Sequence, residues 1–146
     1  MIQRIQSLYL LLAAAAGIGT WFLNIWKVQV GNEAIQYFNA QSSFIVFLVL
    51  MLVVGLALFT IFLYKNRKLQ FKLIVLNAVL SLAALALEYF QVQEMANKIQ
   101  SGGKVITTSN YLPGAFLPLL IFIFLVMAAR GVYKDQKLIK SLDRLR

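Results

Sequence analysis

The hydrophobic pattern divides the chain into four apolar runs that are separated by short polar segments. The runs cover approximately residues 8–26, 44–64, 73–90 and 114–133. A helix needs about 20 mainly apolar residues to cross the roughly 30 Å hydrocarbon core of a bilayer. Each run comes close to that length. The pattern therefore predicts an all-α membrane protein, a single four-helix transmembrane bundle over residues 1–146.

The first apolar run permits a second interpretation. Arg4 precedes an apolar stretch that ends in a series of alanines, which is the layout of a cleaved signal peptide. The apolar character continues beyond the alanines through GIGTWFLNIW, however, and exceeds the roughly 7 to 15 residues of a signal core. We therefore expect a first helix that is retained in the membrane.

Positive charge is distributed unevenly around the four predicted spans. Eleven of the 14 Lys and Arg residues fall on the side that holds both termini and the turn between the second and third spans. Cytoplasmic loops carry an excess of Lys and Arg, so both termini are predicted to be cytoplasmic. The formal net charge of +9 suits the anionic inner leaflet and gives no reason to expect nucleic acid as a partner. The eleven residues are Arg4, Lys65, Arg67, Lys68, Lys72, Arg130, Lys134, Lys137, Lys140, Arg144 and Arg146.

Composition limits the available chemistry. Hydrophobic residues make up 61% of the chain and charged residues 13%, against about a quarter charged in soluble domains. Cys and His are both absent, which removes disulfides, haem ligation through imidazole and ordinary zinc or copper sites. The sequence also contains no nucleophile elbow and no phosphate-binding loop. We expect no enzymatic activity, no catalytic residue, no cofactor and no metal.

The third run carries an unusual set of polar residues: Asn77, Ser81 and Glu88. Their spacing of i, i+4 and i+11 places them on one face of a helix. Polar groups at membrane depth normally point into the bundle, and an ionisable one suggests a function. The alternative is structural, with Asn77 and Ser81 bonding between helices and Glu88 reaching water or one of the outer lysines, Lys27, Lys98 and Lys104. We favour the structural interpretation, in which Glu88→Leu costs about 1 kcal/mol of stability.

Small residues form a patch in the first run. Ala13 and Gly17 stand four residues apart, and Gly19 follows one half-turn later. Such spacing lets helix backbones approach closely. We favour packing against another helix of the same chain over a dimer motif, because an alanine-rich segment meets this loose pattern easily.

The outer loops contain two short segments with the alternation of strands, KVQVG at 27–31 and KVITTS at 104–109. They form either a two-stranded cap or two irregular loops, since strands this short are marginal alone. Trp26, near the outer boundary, has the position of an aromatic-belt residue.

The segment 134–146 continues the fourth run as a basic amphipathic helix. Such a helix anchors to anionic phospholipid at the cytoplasmic face, or it docks a cytoplasmic partner. Composition favours the lipid interpretation. The apolar positions are Leu138, Leu142 and Leu145, and the basic positions are Lys134, Lys137, Lys140 and Arg144.

The two ends of the chain, MIQRIQSLYLLLA and KDQKLIKSLDRLR, with four apolar runs between them, resemble an uncharacterised family of four-helix membrane proteins. That family is classed as a domain of unknown function and belongs to one Gram-negative bacterial phylum. The resemblance covers the whole chain. It implies a multi-pass protein of the bacterial inner membrane, and it implies no activity.

Two functions of different classes follow from these observations. The first is a non-enzymatic accessory subunit or assembly factor of a larger inner-membrane complex, with the lipid bilayer and other integral membrane proteins as partners. The alternative is a small oligomeric transporter that uses Glu88 for proton or cation coupling. We favour the first, because Glu88 lies close to the membrane surface and no predicted span is broken in mid-membrane.

Overall fold

A computed structural model describes the backbone of residues 2–143 and the side chains of residues 5–138. The chain is mostly helical and also forms a small sheet. The four long helices are α1 (Ile2–Gly19), α2 (Phe44–Phe62), α3 (Arg67–Ser101) and α4 (Leu117–Asp143). The strands are β1 (Asn24–Val30), β2 (Gln36–Asn39) and β3 (Ile106–Tyr111), with short 3-10 helices at Ala40–Ser42 and Pro113–Phe116.

The helices pack in a ring around an apolar core. Helix α1 contacts α2 and α4, and α3 contacts the same two helices from the other side. One side chain from each helix lies fully buried where they meet. These core residues are Leu10, Val53, Ile74 and Leu125.

Three helical segments are long and apolar enough to cross a membrane: α2, α3 and the segment Pro113–Leu138. The described part of α1 is a shorter apolar helix, Ile5–Gly19. Helices of this length and apolar character are compatible with a multi-pass membrane protein.

Helix α1 ends earlier than the predicted first span, 8–26. Its last turn is closed by Thr20, whose Oγ donates a hydrogen bond to the carbonyl oxygen of Gly17 at 2.6 Å. A turn follows, and β1 begins at Asn24. From Trp26 onward, buried and half-buried side chains alternate along β1, so the end of that apolar run is a strand and not part of the helix.

The outer loops form one antiparallel sheet with the strand order β2-β1-β3. The two segments with strand alternation pair with each other, as Val28 lies opposite Ser109 and Gln29 opposite Thr108. Strand β2 is not among the predicted strands, and it pairs with the other edge of β1. Trp26 is only 2% exposed and its ring lies 5.3 Å from that of Phe38, so its assignment to an aromatic belt is wrong.

Helix α3 extends well beyond the apolar run 73–90. Its 35 residues give a length of about 52 Å, against a hydrocarbon core of roughly 30 Å. In the extension, Lys98 pairs with Glu94 at 2.7 Å, one helical turn away. The helix stops before Gly103, whose φ of 76° suits glycine. Hydropathy therefore marks the part of α3 that suits the membrane, not the whole helix.

Helix α4 follows the 3-10 turn at Pro113–Phe116 and includes Pro118 in its first turn, where proline is tolerated. It continues without interruption to Asp143. The predicted helical continuation of the fourth run beyond residue 133 is therefore present in the described part of the tail.

Candidate functional site

The polar face of α3 is buried in the bundle. Asn77 and Ser81 are fully buried and Glu88 is 3% exposed. Asn77 donates a hydrogen bond from Nδ2 to the carbonyl oxygen of Val53 on α2, at 3.0 Å. The hydroxyl of Ser81 donates to the carbonyl oxygen of Ala78 in its own helix, at 2.8 Å. Asn77 thus joins two helices as predicted, whereas the predicted bond between helices is wrong for Ser81, whose hydroxyl bonds within α3.

The Glu88 carboxyl group has no partner among the described residues. Neither oxygen accepts a hydrogen bond, and both are shielded from solvent. Lys98 pairs instead with Glu94, and Lys104 with Glu33, each at 2.7 Å. The interpretation in which Glu88 reaches water or one of these lysines is therefore wrong. A carboxylate in such surroundings costs free energy unless a proton or a cation neutralises it.

Two cavities flank Glu88. The larger, about 530 Å³, lies between α3 and the start of α4. The smaller lies towards the first turn of α2. The carboxyl group can therefore hold a proton, a cation or a hydrogen-bond donor at the inner end of a mainly apolar space. Lining residues of the larger cavity include Ile25, Tyr89, Phe90, Tyr111 and Phe116, and those of the smaller include Asn39, Ser42 and Ser43.

A second polar cluster lies at the opposite end of the bundle. Gln6 of α1 donates a hydrogen bond from Nε2 to Oδ2 of Asp135 on α4, at 2.6 Å. The same oxygen lies 3.7 Å from Nη1 of Arg67 at the start of α3. The position of Gly131 permits this contact, since a Cβ there would lie 2.7 Å from Cγ of Gln6. The cluster joins three helices, so we interpret its role as structural.

Asp135 is only 5% exposed, although it lies among the basic residues of α4. The sequence offered little to find its partner, since Gln6 is 129 positions away. The one usable pattern is that Asp135 is an acidic residue between basic residues of α4.

The small residues of α1 lie against other helices of the same chain. Ala13 is 1% exposed and belongs to the core. Gly17 faces Val54 of α2 so closely that a Cβ would collide with it. A Cβ at Gly19 would lie 3.6 Å from Leu117. Close approach of backbones is the role that such residues have in helix packing.

The tail residues are only partly described. Lys134, Lys137 and Leu138 are exposed on α4. Lys140 and Leu142 lie in the helical backbone, but their side chains fall outside the described residues, as do Arg144 and Leu145 entirely. Within residues 5–138, no three acidic side chains come together as a metal site would require.

Comparison with known proteins identifies one family. The sequence model of a family described as a domain of unknown function (DUF4293) matches residues 2–145. The resemblance carried by the two ends of the chain is therefore confirmed as membership of an uncharacterised family. No curated protein and no solved structure matches the chain.

Proposed function

We propose that this chain, which belongs to the family of the domain of unknown function DUF4293, is a non-enzymatic accessory subunit or assembly factor of a larger complex in the bacterial inner membrane. In this proposal all four helices cross the membrane, both termini are cytoplasmic and the sheet lies on the outer face. The positive-inside bias of the Lys and Arg residues supports this orientation.

The observation that carries the proposal is the open edge of β3. In the described part of the chain, β3 pairs with β1 on one side and with no strand on the other. All its residues except Ile106 are exposed. Apolar side chains are exposed at both its ends, Val105 at 76% and Tyr111 at 47%. An open strand edge of this kind binds an extended segment of a partner by adding a strand.

Backbone geometry provides a selective test of this edge. Leu112 donates a hydrogen bond from its backbone N–H to the carbonyl oxygen of Ile25 at 2.8 Å. Because such bonds alternate along an antiparallel pair, the N–H of Asn110 also faces β1, whereas that of Ser109 faces the open edge. Ser109→Pro therefore removes an outward donor without removing a bond of the ladder, and edge strands tolerate proline on that side.

The full-length protein is purified in mild detergent from its own membranes, and the co-purifying proteins are quantified by mass spectrometry. We expect a partner in fixed stoichiometry with the wild type and with Ser109→Thr, and loss of that partner with Ser109→Pro. All three forms should be recovered from the membrane in equal amounts. Retention of the partner by Ser109→Pro would show that the β3 edge is not the contact.

A second candidate function rests on a different observation, the unpartnered carboxyl group of Glu88 between two cavities. In this alternative the protein is a small oligomeric transporter in which Glu88 binds the coupling proton or cation. Reconstitution into liposomes with a pH-sensitive dye tests it. Flux should fall to that of empty liposomes with Glu88→Gln and persist with Glu94→Gln, an exposed acidic residue of the same helix. Equal flux through wild type and Glu88→Gln excludes this function.

A further inference from the structure

A long groove follows the outside of the bundle between α3 and α4. Its volume is about 730 Å³. Along most of its length the walls are apolar, with Val75 and Val79 on α3 facing Phe122, Val126 and Ala129 on α4. Such a surface on a membrane protein is in contact with hydrocarbon. The groove is separate from the Glu88 cavities and from the sheet.

One end of the groove is basic. Arg130, Lys134 and Lys137 line it there. They are spaced at i, i+4 and i+7 on α4, which places them on one face of the helix. All three are exposed, and none is in an ion pair with another described residue. The nearest acidic residue in sequence, Asp135, is turned away from the groove and bonds to Gln6.

The aromatic residues mark the boundary between the apolar and basic parts. Phe71 and Tyr133 both line the groove, and their ring centres lie 6.2 Å apart. Tyr133 is 61% exposed. Aromatic rings of this kind settle at the level of the lipid headgroups. The apolar part of the groove therefore opens at headgroup level onto Arg130, Lys134 and Lys137, which have no ion-pair partner among residues 5–138.

We propose that this groove is a binding site for one anionic phospholipid. An acyl chain lies along the apolar walls, and the phosphate is bound by Arg130, Lys134 and Lys137. The dimensions agree with this occupant. Phe122 to Ala129 extends about 10 Å along the helix, which accommodates most of a leaflet's roughly 15 Å of hydrocarbon. Basic pockets between transmembrane helices bind anionic headgroups in this way. The site goes beyond the proposed association, because it requires no protein partner.

The test distinguishes a specific phospholipid site from general attraction of anionic lipid to a basic surface. Purified full-length protein is titrated with phosphatidylglycerol or with phosphatidylcholine of the same acyl chains, and bound lipids are counted by native mass spectrometry. We expect one molecule of phosphatidylglycerol to bind at least about tenfold more tightly than phosphatidylcholine, since each cation near the headgroup contributes to the attraction.

Two matched pairs of variants test the two parts of the site. The groove triple Arg130→Gln, Lys134→Gln and Lys137→Gln should abolish the preference. The control triple Lys65→Gln, Lys68→Gln and Lys72→Gln removes the same charge from the same end of the bundle, outside the groove, and should retain it. Equal loss in both triples would overturn the proposal in favour of surface attraction.

The apolar part of the groove is tested by placing a larger side chain in it. Val79→Trp narrows the groove at a position that is 59% exposed, so folding should tolerate the larger ring. It should reduce binding of phosphatidylglycerol at least about fivefold by excluding the acyl chain, which is the scale of losing about one buried methylene group. Leu76→Trp, on a neighbouring position that does not line the groove, should have no effect. Unchanged binding with Val79→Trp would show that no acyl chain occupies the groove.

Discussion

At the residue scale, the position of Glu88 is energetically unusual. A buried polar group without a partner loses its hydration and gains no hydrogen bond in exchange. Asn77, on the same face, makes one such bond, with Val53. Glu88 makes none with the described residues. In the isolated protein this side chain therefore opposes folding.

We therefore expect Glu88→Met to stabilise the protein. Methionine is linear like glutamate and brings no polar atom that needs a donor, so the free energy of unfolding should rise by about 1 kcal/mol. Unfolding of the detergent-solubilised protein, followed by circular dichroism, measures it. Glu94→Met on the exposed side of α3 should leave stability nearly unchanged. A loss of stability in Glu88→Met would mean that a bound proton donor or cation satisfies Glu88 in the native protein.

The sequence alone predicted the opposite sign for an apolar residue at this position. The helical period correctly places Asn77, Ser81 and Glu88 on one face. It does not say what faces them, because the neighbours come from α2, β1 and the start of α4. Trp26 shows the same limit, since its burial depends on strand pairing that hydropathy does not register.

At the element scale, the Gln6–Asp135 contact fastens the first helix to the last. Both side chains are buried, and Asp135 Oδ2 accepts the 2.6 Å hydrogen bond while Arg67 approaches the same oxygen. A hydrogen bond to a charged group is stronger than one between neutral groups. Loss of this hydrogen bond should lower the free energy of unfolding more than loss of an ion pair on the surface does.

A double-mutant cycle tests the strength of this contact. Gln6→Ala, Asp135→Ala and the double variant should give a coupling free energy of about 1 to 2 kcal/mol in detergent unfolding experiments. The exposed pair Glu33 and Lys104 offers a control, for which we expect about 0.5 kcal/mol or less. Additive effects of Gln6→Ala and Asp135→Ala would mean that the contact does not stabilise the bundle.

Elements differ in how well the sequence predicts them. The bounds of α2 follow from its apolar run almost without change, because the run itself ends at the polar turn before Arg67. Strand β2 has only four residues, and the partner that stabilises it is recognisable only in three dimensions. The extension of α3 carries an i, i+4 pair of Glu94 and Lys98 that favours helix. Hydropathy does not predict this extension, because its residues are mostly polar.

At the scale of the whole molecule, orientation in the membrane is the central prediction. Single cysteines report it cleanly because the chain has none of its own. We expect Asn66→Cys, on the turn between α2 and α3, and Ser141→Cys, on the tail, to be shielded from a membrane-impermeant thiol reagent in intact cells. Ser101→Cys, at the far end of α3, should react.

Permeabilised cells provide the control, since all three cysteines should then be labelled. Labelling of Asn66→Cys but not of Ser101→Cys in intact cells would invert the orientation. Labelling of Asn66→Cys without Ser141→Cys would place the two on opposite sides and remove one span from the proposal.

The sheet also limits how far the helices can move relative to one another. Strand β1 follows α1, β2 precedes α2, and β3 lies between α3 and α4. The hydrogen-bonded sheet therefore connects all four helices at one end of the bundle. Relative motion of the helices is therefore limited at both ends of the bundle, by the sheet at one end and by the contacts of Asp135 with Gln6 and Arg67 at the other. A ligand bound between α3 and α4 near Arg130 would add one more connection at this second end, where side chains rather than a sheet hold the helices together.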